Sequence, residues 1–216
     1  MLAKVDHTLL KPYATWADIR QICEDAIAYH TATICIPPSY IGRIREAYGD
    51  QVTICTVIGF PLGYQVTEVK VAEAKKALED GASEIDMVIN IGDAKGGRFD
   101  AVTEEIRTLK KAVGDHVLKV IIETCYLTEE EKIELCHCVT EAGADFIKTS
   151  TGFGSAGANL EDVKLLRANV GPQVKVKAAG GIRSIADMED FINAGADRLG
   201  TSSAIQLIKG ENSSGY

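Results

Sequence analysis

Eight short runs rich in β-branched and apolar residues recur along the chain, and a helical pattern follows each of them. The runs predict strands over 5–8, 31–36, 52–58, 83–90, 117–123, 145–149, 174–178 and 197–200. The helical patterns fall at 15–29, 39–48, 66–80, 99–113, 128–142, 159–169, 184–194 and 202–209. Several runs are apolar throughout, such as Ile54-Cys55-Thr56-Val57-Ile58 and Val120-Ile121-Ile122. Parallel strands covered on both faces read this way. Eight β/α units in 216 residues point to the α/β class and to a single closed (β/α)8 TIM barrel.

An internal grammar supports the barrel. Glu79-Asp-Gly-Ala-Ser-Glu-Ile-Asp, Glu141-Ala-Gly-Ala-Asp-Phe-Ile-Lys and Asn193-Ala-Gly-Ala-Asp-Arg-Leu-Gly each end a helix at glycine and begin a strand two or three residues later. The glycines, at 81, 143 and 195, are spaced too unevenly for a solenoid. No linker divides the chain, so residues 1–216 read as one domain, with 210–216 (GENSSGY) a polar C-terminal tail.

Charge narrows the partners. A net charge of −8 and a pI near 5.1 argue against nucleic acid, whose binding needs clustered Lys and Arg. A small phosphorylated ligand stays open, because backbone N–H groups and a few lysines suffice to hold one. No 18-residue apolar run and no N-terminal h-region occur, so no membrane segment is expected and a cytoplasmic location is. Six cysteines without a CxxC suit a reducing compartment. The Cys136-His137-Cys138 triplet lies in a helical pattern, where neighbours at i and i+2 diverge, so it reads as helix packing with one exposed histidine rather than a metal cluster. Asn212-Ser213-Ser214 matches a glycosylation sequon that carries no meaning without a secretory signal.

Chemistry is expected at the C-terminal ends of the strands, where barrel active sites lie. The polar residues near those ends are Asp6, Cys35, Asp86, Asn90, Lys119, Glu123, Lys148, Lys177, Ser202 and Ser203. Lys148 closes the run Phe146-Ile147 and opens a loop of Thr149, Ser150, Thr151, Gly152 and Gly154; Lys177 closes the next run and precedes Gly180-Gly181. Either lysine alone reads more readily as an exposed strand-end cation or a carboxylate's partner than as a reactive amine. Two at equivalent places on neighbouring strands repel each other's protons, and partial burial adds to this. One amine is therefore expected to fall below its ordinary range and to attack carbonyls as a Schiff-base former. Lys175, two residues deeper than Lys177, reads as structural.

Asp86 is a carboxylate within the apolar strand Glu84–Asn90 and needs a cationic partner if buried. Pointing inward it would meet the lysine pair; pointing outward it would pair with a helix, and strand parity alone leaves both open. Gly180-Gly181 and Thr201-Ser202-Ser203 fit the barrel phosphate site built after strands seven and eight, though ordinary turns and an N-cap serine have the same form. Gly152-Phe-Gly154-Ser-Ala-Gly157 satisfies G-x-G-x-x-G, but the next strand ends in Lys177-Ala178-Ala179 with no acidic residue to hold a ribose, which rules out a dinucleotide fingerprint.

The segments DHTLLKP, IGFPLG (58–63), EIDMVIN (84–90), LKVIIET (118–124), DFIKTSTGF (145–153) and KAAGGIR (177–183), in order along nearly the whole chain, resemble the deoxyribose-phosphate aldolase family. The resemblance implies a class I aldolase on a TIM barrel. Such an enzyme interconverts 2-deoxy-D-ribose 5-phosphate with D-glyceraldehyde 3-phosphate and acetaldehyde, without metal or cofactor. It implies Lys148 as the Schiff-base lysine, with Lys177 and Asp86 as proton donors and acceptors, and so points Asp86 inward. Gly180, Gly181, Ser202 and Ser203 would hold the phosphate with Thr151 and Gly152 nearby, and Asp6, Cys35 and Lys119 would line the pocket. Some members end in a tyrosine that reaches the site, and Tyr216 ends this chain. The partners implied are a phosphorylated sugar and acetaldehyde, with a homodimer as candidate assembly. One departure stands out: some members carry a lysine after the STG triplet, where this chain has Phe153. A transaldolase-like Schiff-base enzyme would share the lysine but take a different donor. A non-catalytic phosphate-binding barrel would keep the glycines and serines.

Overall fold

The computed structural model describes residues 1–210. Its eight strands are β1 (Val5–Thr8), β2 (Thr33–Ile36), β3 (Ile54–Ile58), β4 (Glu84–Val88), β5 (Val117–Ile121), β6 (Phe146–Lys148), β7 (Lys175–Ala179) and β8 (Arg198–Thr201). They pair in chain order, every pair parallel, and β8 returns to β1 to close the barrel. The expected (β/α)8 fold is the observed one.

The covering helices are α1 (Trp16–Tyr29), α2 (Ile41–Tyr48), α3 (Thr67–Glu79), α4 (Ile91–Lys95), α5 (Phe99–Val113), α6 (Glu129–Glu141), α7 (Leu160–Asn169), α8 (Ile185–Asn193) and α9 (Ala204–Ile208). Eight match the periodic patterns; α4 is additional. Asn90 ends the strand early because its side chain accepts from Asp93 N at 3.2 Å and so caps α4. The fifth run also stops short, because Glu123 turns into the left-handed region at φ +54. Among the described residues no helix is long and apolar enough to cross a membrane.

Side chains divide by strand parity. Outward residues such as Ile34, Ile54, Ile85, Met87, Leu118, Val120, Ile147, Val176 and Leu199 form one apolar shell with the helices. That shell is what the continuous apolar runs encode. The inward set is different in kind: Asp6, Thr33, Cys35, Cys55, Glu84, Asp86, Lys119, Lys148 and Lys177 are all buried. Branched apolar residues usually fill this space. Here charge fills it.

One buried pair outside the barrel fixes the strand ends. Lys70 on α3, fully buried, donates to Val88 O and to Glu105 of α5, both at 2.8 Å. Burial pulls its ammonium below the usual lysine range, and Glu105 offsets part of this. Beside it, Gly59 N donates to Glu73 at 2.7 Å, anchoring the loop that carries Phe60.

The Cys136-His137-Cys138 triplet is helix packing, as its spacing predicts. Both thiols are buried on α6 while the His137 side chain is 60% exposed, and burial pushes Cys136 up to about 12.

Candidate active site

The interior charges form one connected cluster around Asp86, which points inward. Asp86 Oδ2 accepts from Lys148 Nζ at 2.8 Å and from Lys177 Nζ at 2.7 Å. Its Oδ1 accepts from Lys119 Nζ at 2.8 Å and from Cys55 Sγ at 3.2 Å. Deeper in the barrel, Asp6 accepts from Lys177 at 2.5 Å, from Arg198 at 2.6 Å and from Thr33 at 2.8 Å. Glu84 meets Lys119 at 2.6 Å and Arg198 at 3.1 Å. Strand register builds this directly: Asp86 pairs with Lys119, Lys148 with Lys177, and Lys177 with Arg198.

Within this cluster the ionised forms hold each other in place. Burial alone would raise the Asp86 carboxyl, but Lys119, Lys148 and Lys177 carry it well below the usual carboxylate range. Asp6 is lowered in the same way by Lys177, Lys119 and Arg198. Burial opposes the Lys177 ammonium, yet Asp6 and Asp86 more than offset it and the group lies above its ordinary range. This corrects the expectation of simple repulsion between two strand-end lysines: two carboxylates stand between Lys177 and that outcome. Four cations (Lys119, Lys148, Lys177, Arg198) face three carboxylates (Asp6, Glu84, Asp86). Among these seven ion-paired groups, the loss of one proton would leave no net charge.

Above it opens a cavity of about 220 Å³ at the C-terminal ends of the strands. Of the seven charged residues, Lys148 is the one that lines it. The phosphate-site candidates Thr151, Gly152, Gly180, Gly181 and Ser202 line the same cavity, joined by Thr8, Thr201 and Arg183. Gly180 and Gly181 take φ +76 and +77, a region closed to most side chains. A Cβ on Gly157 would stand 2.4 Å from the Gly180 carbonyl carbon, so two loops touch there backbone to backbone. Thr151 is clamped by Glu123, which accepts from Thr151 N at 3.1 Å and from its hydroxyl.

Some candidates sit elsewhere than expected. Ser203 Oγ lies behind the wall, donating to Ile182 O at 3.1 Å, with Thr201 Oγ1 at 3.0 Å. Asp6 and Lys119 are buried beneath the cavity, where Asp6 holds Lys177 and Lys119 holds Asp86, and Cys35 is buried against Leu10, Cys55 and Val57. Tyr216 lies outside the described residues. Phe153, 44% exposed, meets Phe60 edge-to-face at 5.4 Å. Asn90, a candidate by position alone, serves the cap of α4. Glu84, Arg198, Cys55 and Arg183 were not singled out by sequence. The signal for Glu84 and Arg198 was parity, since each lies two residues before an inward position of its strand.

The donor atoms of Cys35, Cys55 and Asp86 lie within 4.8 Å of one another, close enough to share an ion. Three ammonium groups already occupy the Asp86 carboxylate, and they would repel a further cation.

Comparison with known proteins follows the same line. The model of the DeoC/LacD family of aldolases matches residues 1–205. A Clostridium botulinum protein named deoxyribose-phosphate aldolase is 65% identical over all of this chain and 98% of its own length. A Clostridioides difficile protein of the same name is 56% identical over all of this chain and 99% of its own. The structure is similar to that of the tetrameric deoxyribose phosphate aldolase of Aeropyrum pernix, with a TM-score of 0.88 and 35% identity over 97% of this chain and 89% of that one.

Proposed function

The chain belongs to the DeoC/LacD family of aldolases, and from that premise we propose that it cleaves 2-deoxy-D-ribose 5-phosphate reversibly to D-glyceraldehyde 3-phosphate and acetaldehyde through a Schiff base on Lys148. The observation that carries the assignment of residues is the position of Lys148: it alone of the charged cluster lines the cavity, and Asp86 Oδ2 joins it to Lys177.

The reacting form is the free amine, and the cluster's excess of one cation lets it arise without stranding a carboxylate. Nζ attacks the aldehyde carbon of the open-chain sugar, and the Lys177–Asp86 pair supplies a proton to the departing hydroxyl, leaving an iminium and water. The pair then takes the proton of the C3 hydroxyl. The C2–C3 bond breaks, its electrons move into the iminium, and D-glyceraldehyde 3-phosphate leaves an enamine behind. Protonation at C2 and hydrolysis release acetaldehyde and restore Lys148. Gly180, Gly181, Ser202, Thr151 and Gly152 hold the phosphate, with Arg183 supplying the cation at that wall. A cytoplasmic location and a homodimer accompany this reading, and sedimentation tests the assembly.

Incubation with acetaldehyde and borohydride, followed by peptide mapping, tests the assignment. An ethyl adduct on Lys148 is expected. A folded protein without an adduct there overturns it.

A further inference from the structure

The charged cluster continues past the residues that do the chemistry. Glu84 and Arg198 open β4 and β8 at the floor of the barrel, opposite the cavity. Arg198 Nη1 donates to Asp6 at 2.6 Å and to Glu84 at 3.1 Å, and Nη2 reaches Glu84 at 3.4 Å. From there two arms climb towards the substrate: Asp6 holds Lys177 at 2.5 Å, and Glu84 holds Lys119 at 2.6 Å. Both arms end on Asp86. The guanidinium side chain is 15% exposed and packs over the Phe146 ring at 5.4 Å, so its field acts in a weakly screened interior. Apolar side chains would close a barrel floor at lower desolvation cost.

We propose that Arg198 and Glu84 are positioning residues for the aldolase reaction, fixing the charge balance of the catalytic cluster while holding Asp6 and Lys119 against Lys177 and Asp86. The inference rests on the Schiff-base assignment of Lys148. Groups on every neighbouring strand face the cluster: Asp6 on β1, Cys35 on β2, Cys55 on β3, Lys119 on β5 and Lys177 on β7, with Glu123 beyond β5. Lys175 stands over the same Phe146 ring, at 5.6 Å, but is exposed.

The sign of each residue's effect follows from the charge count. Without the Arg198 charge, three cations face three carboxylates, and releasing a proton leaves the interior negative. Free amine then forms only at higher pH. Without the Glu84 charge, four cations face two carboxylates, and the proton leaves at lower pH.

The test is the pH dependence of kcat/KM, and of the rate of borohydride trapping with acetaldehyde, in Arg198→Met, Glu84→Gln and the double variant. The acid limb is expected to move up by about half to one pH unit in Arg198→Met and down by a similar amount in Glu84→Gln. The double variant returns towards the parent, Arg198→Lys restores most of the first shift, and Lys175→Met shifts nothing. Glu84→Gln carries the test by itself should Arg198→Met fail to fold. Limbs that stay put, move in the same direction, or respond equally to Lys175→Met overturn the inference while leaving the Lys148 adduct intact. Absence of the adduct in the parent overturns the Schiff-base assignment and this inference with it.

Discussion

Lys148 and Lys177 donate to one and the same atom, Oδ2 of Asp86, at 2.8 and 2.7 Å. In the proposed mechanism this holds the nucleophile and its proton-transfer partner at one point. Removing that point separates them. Asp86→Asn is expected to lower kcat by about 10²–10⁴-fold, the usual worth of a positioned acid–base group. It also leaves three buried ammonium groups short of charge, so a thermal melt should show a loss of about 3–5 kcal/mol. Unchanged kcat in a folded Asp86→Asn protein would remove Asp86 from the mechanism.

Lys148→Ala should abolish trapping by borohydride and lower turnover by about 10³-fold or more, the scale seen when a nucleophile acting as part of a unit is removed. Because Asp86 keeps Lys177 and Lys119, folding should be largely preserved, and circular dichroism checks this beside the assay. Retention of most of the turnover would sink the covalent route.

The depressed carboxyls predict how stability follows pH. Asp6 and Asp86 have folded values below their unfolded ones, so the stability they contribute is fully present above about pH 4 and declines as pH falls further towards the folded values. Asp6→Asn removes one of the two. Its deficit against the parent should be largest near pH 7 and should shrink below about pH 4. Urea titrations at several pH values measure this, and a deficit that grows on acidification contradicts it.

Gly157 bears on the proposed phosphate wall without carrying a polar side chain. A Cβ there would meet the Gly180 carbonyl carbon at 2.4 Å, so Gly157→Ala must displace the Gly180-Gly181 loop. Displacements of about 1 Å can cost about 10²-fold in rate. The loss of kcat/KM should be greater for deoxyribose 5-phosphate than for unphosphorylated deoxyribose. Equal losses would place the phosphate elsewhere.

Lys70 tests the outer layer. Lys70→Ala removes the cation paired with Glu105 in the α3–α5 interface, leaving it only Thr67 and the Asn90 N–H, and should cost about 3–5 kcal/mol, whereas Lys70→Met with Glu105→Leu should recover most of it. Thermal denaturation of both variants decides; a single variant as stable as the double would show that the pair is not coupled.

Much of this was legible in one dimension because a barrel converts chain order into spatial order. Eight runs gave eight strands, and lysines closing the sixth run and lying in the seventh had to be neighbours once those strands paired in register. Asp86 was visible as a charge in an apolar run, but its direction was not, since inward and outward differ only by the parity of a strand whose start is uncertain by one residue. Glu84 and Arg198 were hidden for a related reason: a charge at the first residue of a strand looks like a solvated strand start. Their meaning comes from β8 meeting β1, a contact that Arg198 and Asp6 make across 192 positions of sequence. Ser202 and Ser203 are equivalent in composition, and only the turn into α9 decides that Ser202 lines the cavity while the Ser203 hydroxyl turns to Ile182 O.

The filling of the barrel by charge sets where this scaffold has latitude for change. The groups that brace the inner wall are also those the proposed mechanism uses to transfer protons, so an inner substitution chosen for heat tolerance is expected to alter the reaction as well. The apolar shell between strands and helices has no such double duty. Directed evolution for robustness should therefore accumulate its accepted changes at outward positions such as Ile85, Val120 and Val176, and leave the inward residues of the same strands untouched.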